Sequence, residues 1–600
     1  MERTGTTRRG FVAGAAAAAG AVGAGLLPAG PAAAAVAQGS AEDSTERAAG
    51  RSVAVFGGGV AGLTAAHELA ERGFRVTVYE RRALGGKARS FDVPGSAKGG
   101  RRPLPAEHGF RFIPGIYHNL PDTMRRIPYP GNARGVFDNL VAPPEMMFAR
   151  TGREDLRMSI PWPGHKPAAL TLDDVRRALT ALVETAAGLP PHETAYFVNR
   201  ALVFLTSCDE RRDEVWERTP WWDFTRAARM SETYQRILAI GVTRNIVATK
   251  AEEASTRTVG TLGEAFVFNA LGRGADGPPD RILNAPTNEA WIDPWEAHLR
   301  SLGVEFRIGW TLREVLYGDG RVGGALVEDP DGVRGNVTAD HYVCALPVEH
   351  ARRTWGPALR AADPQLARCD KLQTDWMTGI QFYLTERPPL VHGHLNCIDS
   401  PWSLTAIAQA EHWPHQDFPA DYGDGVAVDC LSVDISEWDK PGILYGKTAK
   451  QCTREQVARE VWAQLKAALN DTGRTALKDS ALHSWYLDPG VDGLGTPNPT
   501  NEDELLIHPV GTFHHRPSAA TAIPNFYLAG DYVSVDIDLA TMEGANAAAR
   551  QAVNSLLDRT GSTAPRCTVK PLFRAPEIEL LKRHDRTRYR LGLRNALDLG

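Results

Sequence analysis

Three glycines, Gly57, Gly59 and Gly62, followed by the carboxylate of Glu80, have the types and spacing of a phosphate cradle. Gly57 permits a tight turn, Gly59 lets the backbone approach a pyrophosphate, and Gly62 lets a helix pack on a strand. Val60 and Ala61 lie in the turn before that helix, whose N-terminal free N–H groups and partial positive charge face the phosphates. Glu80 stands about 20 residues on, where a carboxylate accepts hydrogen bonds from ribose hydroxyls. The elements that must position these residues are legible around them. Residues 52–56 are a short apolar strand. Helical spacing over 63–72 (Leu63, Ala66, Leu69, Ala70) is stopped by Gly73, and 75–79 form the next strand, ending at Glu80. Strand, glycines, helix, strand and acid in register make a dinucleotide-binding unit, which alone suits NAD and FAD equally.

The residues beyond Glu80 decide between the two cofactors. Gly85-Gly86-Lys87-Ala88-Arg89, directly after the acid and Arg81, resembles the glycine doublet of the FAD-dependent superfamily that includes amine oxidases and carotenoid desaturases. Two glycines let the chain run close under the cofactor, and Lys87 and Arg89 offer cations to its phosphates. Near the other end, a buried strand beginning at Asn525 ends in Gly530-Asp531, and eleven residues after Asp531, Met542 lies in the opening of a small-residue helix. In flavoproteins of this superfamily that arrangement binds the ribityl chain and flavin ring. The acid accepts hydroxyl hydrogen bonds, and the helix N-terminus stabilises negative charge on reduced flavin.

The stretch from Glu107 to Leu120 resembles a segment of plant-type phytoene and ζ-carotene desaturases, with Glu107, Gly109, Gly115, Tyr117 and Asn119 on matching positions. The Leu-Ala-Gly-Asp-Tyr and Ala-Thr-Met-Glu-Gly-Ala segments are also similar to those desaturases. Residues 298–307 resemble the helix-to-strand segment before their adenine-side strand, which is expected to continue to Val315. Bacterial hydroxysqualene dehydroxylases share these features. The resemblance covers roughly 52–125, 285–345 and 505–560. It implies FAD contacts at Ala61, Glu80, Arg81, Lys87, Arg111, Phe112, Asp531 and Met542, with Val60, Gly86, Arg89, Val315 and Gly530 completing the set. Arg111 replaces the family's histidine beside the flavin.

The implied fold class is α/β. A Rossmann-type FAD-binding domain is assembled from the discontinuous segments 51–125, 285–345 and 505–560, and a mixed sheet-plus-helix substrate domain from 126–284 and 346–504. The implied activity is that of an FAD-dependent oxidoreductase moving a hydride from a C–H bond of an apolar, isoprenoid substrate to FAD, with a quinone or O2 as electron acceptor. A flavin amine oxidase and a non-redox FAD-dependent isomerase or binding protein remain as alternatives. No catalytic base can be named from spacing, and no metal site is expected; the pair His514-His515 reads as surface histidines.

Composition agrees with a soluble enzyme of more than one lobe: 600 residues, 43% hydrophobic and 23% charged. A net charge of −5 gives no basic surface for nucleic acid. Seven cysteines without metal-type or paired spacing read as buried thiols. Thr6-Thr7-Arg8-Arg9-Gly10-Phe11-Val12, a weakly apolar run and Ala35-Val36-Ala37 have the order of a twin-arginine signal over 1–37, followed by a linker at 38–50. That predicts export. Trp221 and Trp222 read as core packing, with an apolar substrate tunnel as the other role. The tail, 561–600, carries nine Lys/Arg against three acids between Arg566 and Arg594. It reads as a helix packed on the enzyme, or as a peripheral membrane contact.

Overall fold

The computed structural model describes residues 51–109, 112–159 and 171–598. The twin-arginine leader, most of the linker and Arg111 therefore lie outside the described residues.

Strands β1 (Ser52–Phe56), β2 (Arg75–Glu80), β3 (Glu305–Ile308), β4 (His341–Cys344) and β5 (Phe526–Leu528) form one parallel sheet in the order β5-β4-β1-β2-β3. Residues 53–56, 342–344 and all of β5 are apolar and buried, as strands covered on both faces must be. Both ends of the chain thus meet in one sheet, β4 seating β5 beside β1. Helices α1 (Val60–Ala70) and α3 (Met542–Thr560) pack against each other through alanines, so their backbones come close enough for Asn546 to donate to Thr64 Oγ1 at 2.9 Å.

A three-stranded antiparallel meander (Thr311–Gly318, Arg321–Glu328, Arg334–Val337) is fastened to this sheet by Asn525, which bonds both the N–H and the C=O of Val322. It corrects one expectation. The strand carried from 304 through Val315 breaks: β3 stops at Ile308, Gly309 turns at φ +85°, and Trp310 donates its N–H to Glu80 O. Val315 belongs to the meander, 2% exposed, its N–H bonded to Thr354 O at 3.0 Å.

The second sheet has seven strands in the order Leu482–Leu487, Thr378–Leu384, Asp429–Ile435, Leu404–Ala408, Gly393–Cys397, Glu145–Ala149 and Leu156–Ser159. Neighbours are antiparallel except Gly393–Cys397 with Glu145–Ala149. The 126–284 segment, expected to belong to a mixed sheet-plus-helix domain, gives two strands to this sheet before turning helical. Period-2 alternation sorts its faces. Leu395, Ala406, Leu431 and Val433 pack with Val461 and Leu465 of the helix Arg454–Leu469. Met146, His394, Asn396, Thr405 and Asp434 line the cavity described below.

Opposite that face stand helices Leu172–Ala187, Pro191–Thr206 and α2 (Thr256–Ala270). A capping box between Thr171 and Asp174 starts the first, and the Ser255 hydroxyl caps α2. The basic tail packs on this lobe: Asp585 of helix Glu579–Arg590 is buried against Arg211 at 2.9 Å, and Lys582 reaches Glu264 at 3.2 Å. All seven cysteines are buried free thiols, as their scattering implied. Among the described residues no helix is long and apolar enough to cross a membrane.

Candidate active site

The glycine cradle follows from close approach. Gly57 turns at φ +105°, and a Cβ there would stand 2.7 Å from Ala345 O; a Cβ on Gly62 would stand 1.8 Å from Gly57 O. Gly62 is therefore a packing residue, as its spacing implied, and does not border the cavity. A Cβ on Gly59 would meet only Gly86 Cα, at 3.7 Å, so the space beside it is open. Gly59 carries no side chain to cap α1, whose first-turn N–H groups stay available to an anion. Glu80 Oε2 accepts the N–H of Gly58 at 2.7 Å and Oε1 that of Arg82 at 2.8 Å. Each oxygen keeps a second acceptor site for a ribose hydroxyl. The doublet closes over this turn, Gly85 N–H donating to Gly58 O at 2.8 Å.

Lys87 and Arg89 line the same cavity, but carboxylates take up their charges. Lys87 Nζ donates to Glu349 Oε1 at 2.8 Å and to Glu504 O; Arg89 reaches Gly86 O at 2.6 Å and Asp503 at 3.4 Å. Arg81 is paired with Glu502 at 2.6 Å. Burial works against the Lys87 ammonium, yet Glu349 and Asp531 outweigh it and hold Lys87 above its ordinary value. Burial likewise pushes the Asp503 carboxyl up, and His108, Arg89, Arg82 and Lys87 together drive it well below the carboxylate range. Spacing sees the cations; it does not see partners more than 260 residues away.

The far end of the chain completes the cradle. Gly530, Asp531 and Met542 border the cavity. Burial raises the Asp531 carboxyl, with Lys87 pulling back. The Thr541 hydroxyl caps α3 by accepting the Gly544 N–H at 2.9 Å, and His508 Nε2 accepts the Ala540 N–H at 3.0 Å. Burial pushes His508 down to about 3, so it stays a neutral acceptor. Every expected cofactor position borders the cavity except Gly62, Val315, which is packed in the meander, and Arg111, outside the described residues.

From the cradle the cavity, 720 Å³ in volume, runs between the second sheet and the helical lobe. Phe112 stands at the junction, its ring 6.1 Å from that of Phe266. Beyond it the walls are apolar: Met146, Phe204, Trp221, Leu238 and Val259 among others. Trp221 packs against Phe224, with its Nε1 bonded to Leu238 O at 2.9 Å, and also borders the chamber. Two polar residues of this wall, His394 and Asp280, escaped sequence reading. They lie 114 residues apart and meet at 2.6 Å; only the strand register that places His394 on the cavity face reveals them.

Among the described residues two clusters have metal-like donor sets, and their chemistry argues against an ion. In His67–Glu71–His298, Trp295 Nε1–H donates to His67 Nδ1 at 3.1 Å, so His67 Nε2 carries the proton and gives it to Glu71. In His108–Asp488–Asp503, Arg82 and Arg89 already supply the positive charge.

A family model described as flavin containing amine oxidoreductase matches residues 60–557. The chain belongs to that family. It is an FAD-dependent oxidoreductase, and the cradle fits the cofactor: open space at Gly59, an uncapped helix start, and acids at positions 80 and 531. The chain is 27% identical to a carotenoid phi-ring synthase of Streptomyces griseus, over 85% of this chain and 88% of that one. It is 24% identical to the zeta-carotene desaturase of a Synechocystis species, over 84% and 97%. These similarities agree with the desaturase-like motifs. Among solved structures, an oxidoreductase from Methanosarcina mazei (TM-score 0.54, 15% identity, 84% of this chain and 99% of that one) and a putrescine oxidase (0.54, 12%, 84% and 98%) share the fold.

Proposed function

We propose that this enzyme oxidises a C–H bond of a long apolar substrate of the isoprenoid, carotenoid-like class. The observation that carries the reading is the continuity of the cofactor cradle with a chamber walled by aromatic and aliphatic side chains. An amine would bring a cation into that chamber, which burial penalises; a polyene would bury apolar surface at about 25 cal/mol per Å². FAD, when bound, supplies hydride acceptance. The chain's residues do the rest. Glu80 and Asp531 fix the cofactor's hydroxyls, the first turns of α1 and α3 offer their N–H groups to negative charge, and Phe112, Phe266 and Trp221 exclude water and hold the substrate. The cofactor-contact positions given by the motifs, apart from Gly62 and Val315, belong to this proposal.

A quinone or O2 serves as electron acceptor. Export through the twin-arginine leader and contact of the basic tail with anionic lipid are part of the same reading, supported by Arg8-Arg9 and by the exposed Leu580 and Leu591 among arginines. The test is anaerobic. An unsaturated isoprenoid in detergent should bleach the flavin absorbance, and primary amines or polyamines should not. Bleaching by an amine with release of ammonia would overturn the substrate class.

A further inference from the structure

The desaturase reading leaves one group unassigned. Removing a hydride from one carbon and forming a double bond also requires that the neighbouring carbon lose a proton. Resting on that reading, we propose that His394, oriented by Asp280, accepts this proton.

His394 sits on the cavity face of strand Gly393–Cys397, opposite Met146 in the register. Its Nδ1 is 2.6 Å from Asp280 Oδ2, and both side chains are buried, at 10% and 1% exposure. With Asp280 accepting the Nδ1 proton, the imidazole lone pair is on Nε2. Asp280 does not reach this place by accident. The next residue, Arg281, ties the loop to the segment carrying Phe112, donating to Ile113 O at 3.0 Å and Pro114 O at 3.1 Å, while Ile113 N–H donates to Arg281 O. The same fastening sets the Phe112 ring edge-on to His394 at 5.6 Å. The dyad thus stands at the junction of cradle and chamber, where the reacting carbons must lie. Asp280 Oδ1 is buried without a hydrogen-bond partner, a carboxylate suited to stabilising an imidazolium when it forms.

The other His–Asp pair on the cavity, His108–Asp488 at 2.7 Å, stands beside Asp503 and among Arg82 and Arg89. Its surroundings are ionic. His394 borders the cavity beside Met146 and Phe112. The charged groups around it, among the described residues, are Asp280, Arg281 on the same loop and Asp434, two strands away on the cavity face.

The step balances. The substrate gives a hydride, with its electron pair, to FAD and a proton to His394 Nε2; two C–H bonds break and the C–C bond becomes C=C. The proton leaves to water on turnover, and the quinone or O2 takes the two electrons.

The experiment uses the full-length FAD-loaded enzyme. His394→Gln should retain FAD content and melting temperature but bleach roughly 10²- to 10⁴-fold more slowly with the isoprenoid. It should also lose the acid limb of the wild-type pH–rate profile. Asp280→Asn keeps the imidazole and disturbs its tautomer, and should slow bleaching as well. A readout apart from turnover is NMR of 13C-histidine-labelled protein. The His394 signal, assigned by its loss in His394→Gln, should report Nδ1 protonation and should shift when squalane, a saturated isoprenoid, is added. Wild-type bleaching rate and pH profile in His394→Gln, or a signal indifferent to squalane, would overturn the proposal and leave the desaturase reading standing. Failure of the unmutated enzyme to bleach with any isoprenoid would sink the reading and the proposal together.

Discussion

The two ends of the cavity are built on different principles. The cradle is made of backbone: a turn at Gly57, a helix start at Val60, a doublet closing through Gly85, with charges added around it. The chamber is made of side chains from strands and helices scattered between residues 146 and 434. Backbone geometry serves one cofactor and is set by short-range spacing at Gly57–Gly86, completed by Gly530 and Asp531 from the far end of the chain, whereas a side-chain wall can change its ligand without disturbing the fold. The same molecule therefore joins a part built from backbone to a part built from side chains, and the two meet near Phe112.

That division is broken most severely from the chamber side at Asp585. Arg211 holds it through two nitrogens, at 2.9 and 3.0 Å, and Cys208 N–H also donates to it at 2.9 Å. Asp585→Ala leaves a buried guanidinium unpaired and should cost about 3–5 kcal/mol. Thermal unfolding should show the loss, with the flavin still bound in whatever protein remains folded. A melting temperature unchanged from wild type would mean that the tail is not a structural part of this lobe.

On the cradle side, two glycines three residues apart should fail differently. Gly62→Ala drives a methyl group into Gly57 O and should destabilise the fold by about 3 kcal/mol or more. A Cβ at Gly59 meets only Gly86 within 4 Å, so Gly59→Val should fold and yet purify largely without FAD. The flavin-to-protein absorbance ratio beside the melting curve separates the two. A Gly59→Val protein with stoichiometric FAD would move the pyrophosphate elsewhere.

A smaller effect comes from pH. Burial holds His508 at about 3, below the 6.5 usual for histidine, with Arg516 acting in the same sense and Asp538 opposing. The unfolded chain therefore takes up a proton that the folded one refuses. This contribution to stability is complete above about pH 6.5 and is lost as pH falls toward 3, by up to about 1.4 kcal/mol per unit. His508→Gln, which keeps an acceptor for the Ala540 N–H, should flatten the fall in melting temperature between pH 7 and 5. An unaltered slope would exclude His508 as its source.

The same division explains what could be read from sequence. Gly57, Gly59, Gly62 and Glu80 have their roles fixed by short-range spacing, and Gly530-Asp531 by a strand that had to end somewhere near them. His394 and Asp280 have no such signature, because a 2.6 Å contact across 114 residues depends on how the strand carrying His394 is paired within a seven-stranded sheet. Lys87 and Arg89 were visible as cations, but Glu349 and Asp503, which face them, lie 262 and 414 residues further along the chain. The run to Val315 looked continuous because Gly309 and Trp310 interrupt it without a proline or a charge cluster. Register and long-range ion pairing are global properties, and a linear pattern records them weakly.

The central claim is that one cavity holds both FAD and an apolar substrate, and Gly263 offers the most direct test. It borders the chamber on α2, and a Cβ there would meet nothing within 4 Å. Gly263→Trp should therefore fill the chamber while sparing the fold and the cradle. In single-turnover anaerobic mixing with an unsaturated isoprenoid, the wild type should bleach, and Gly263→Trp should carry a full complement of FAD yet remain yellow. Bleaching of the variant at the wild-type rate would show that the substrate reaches the flavin by another route.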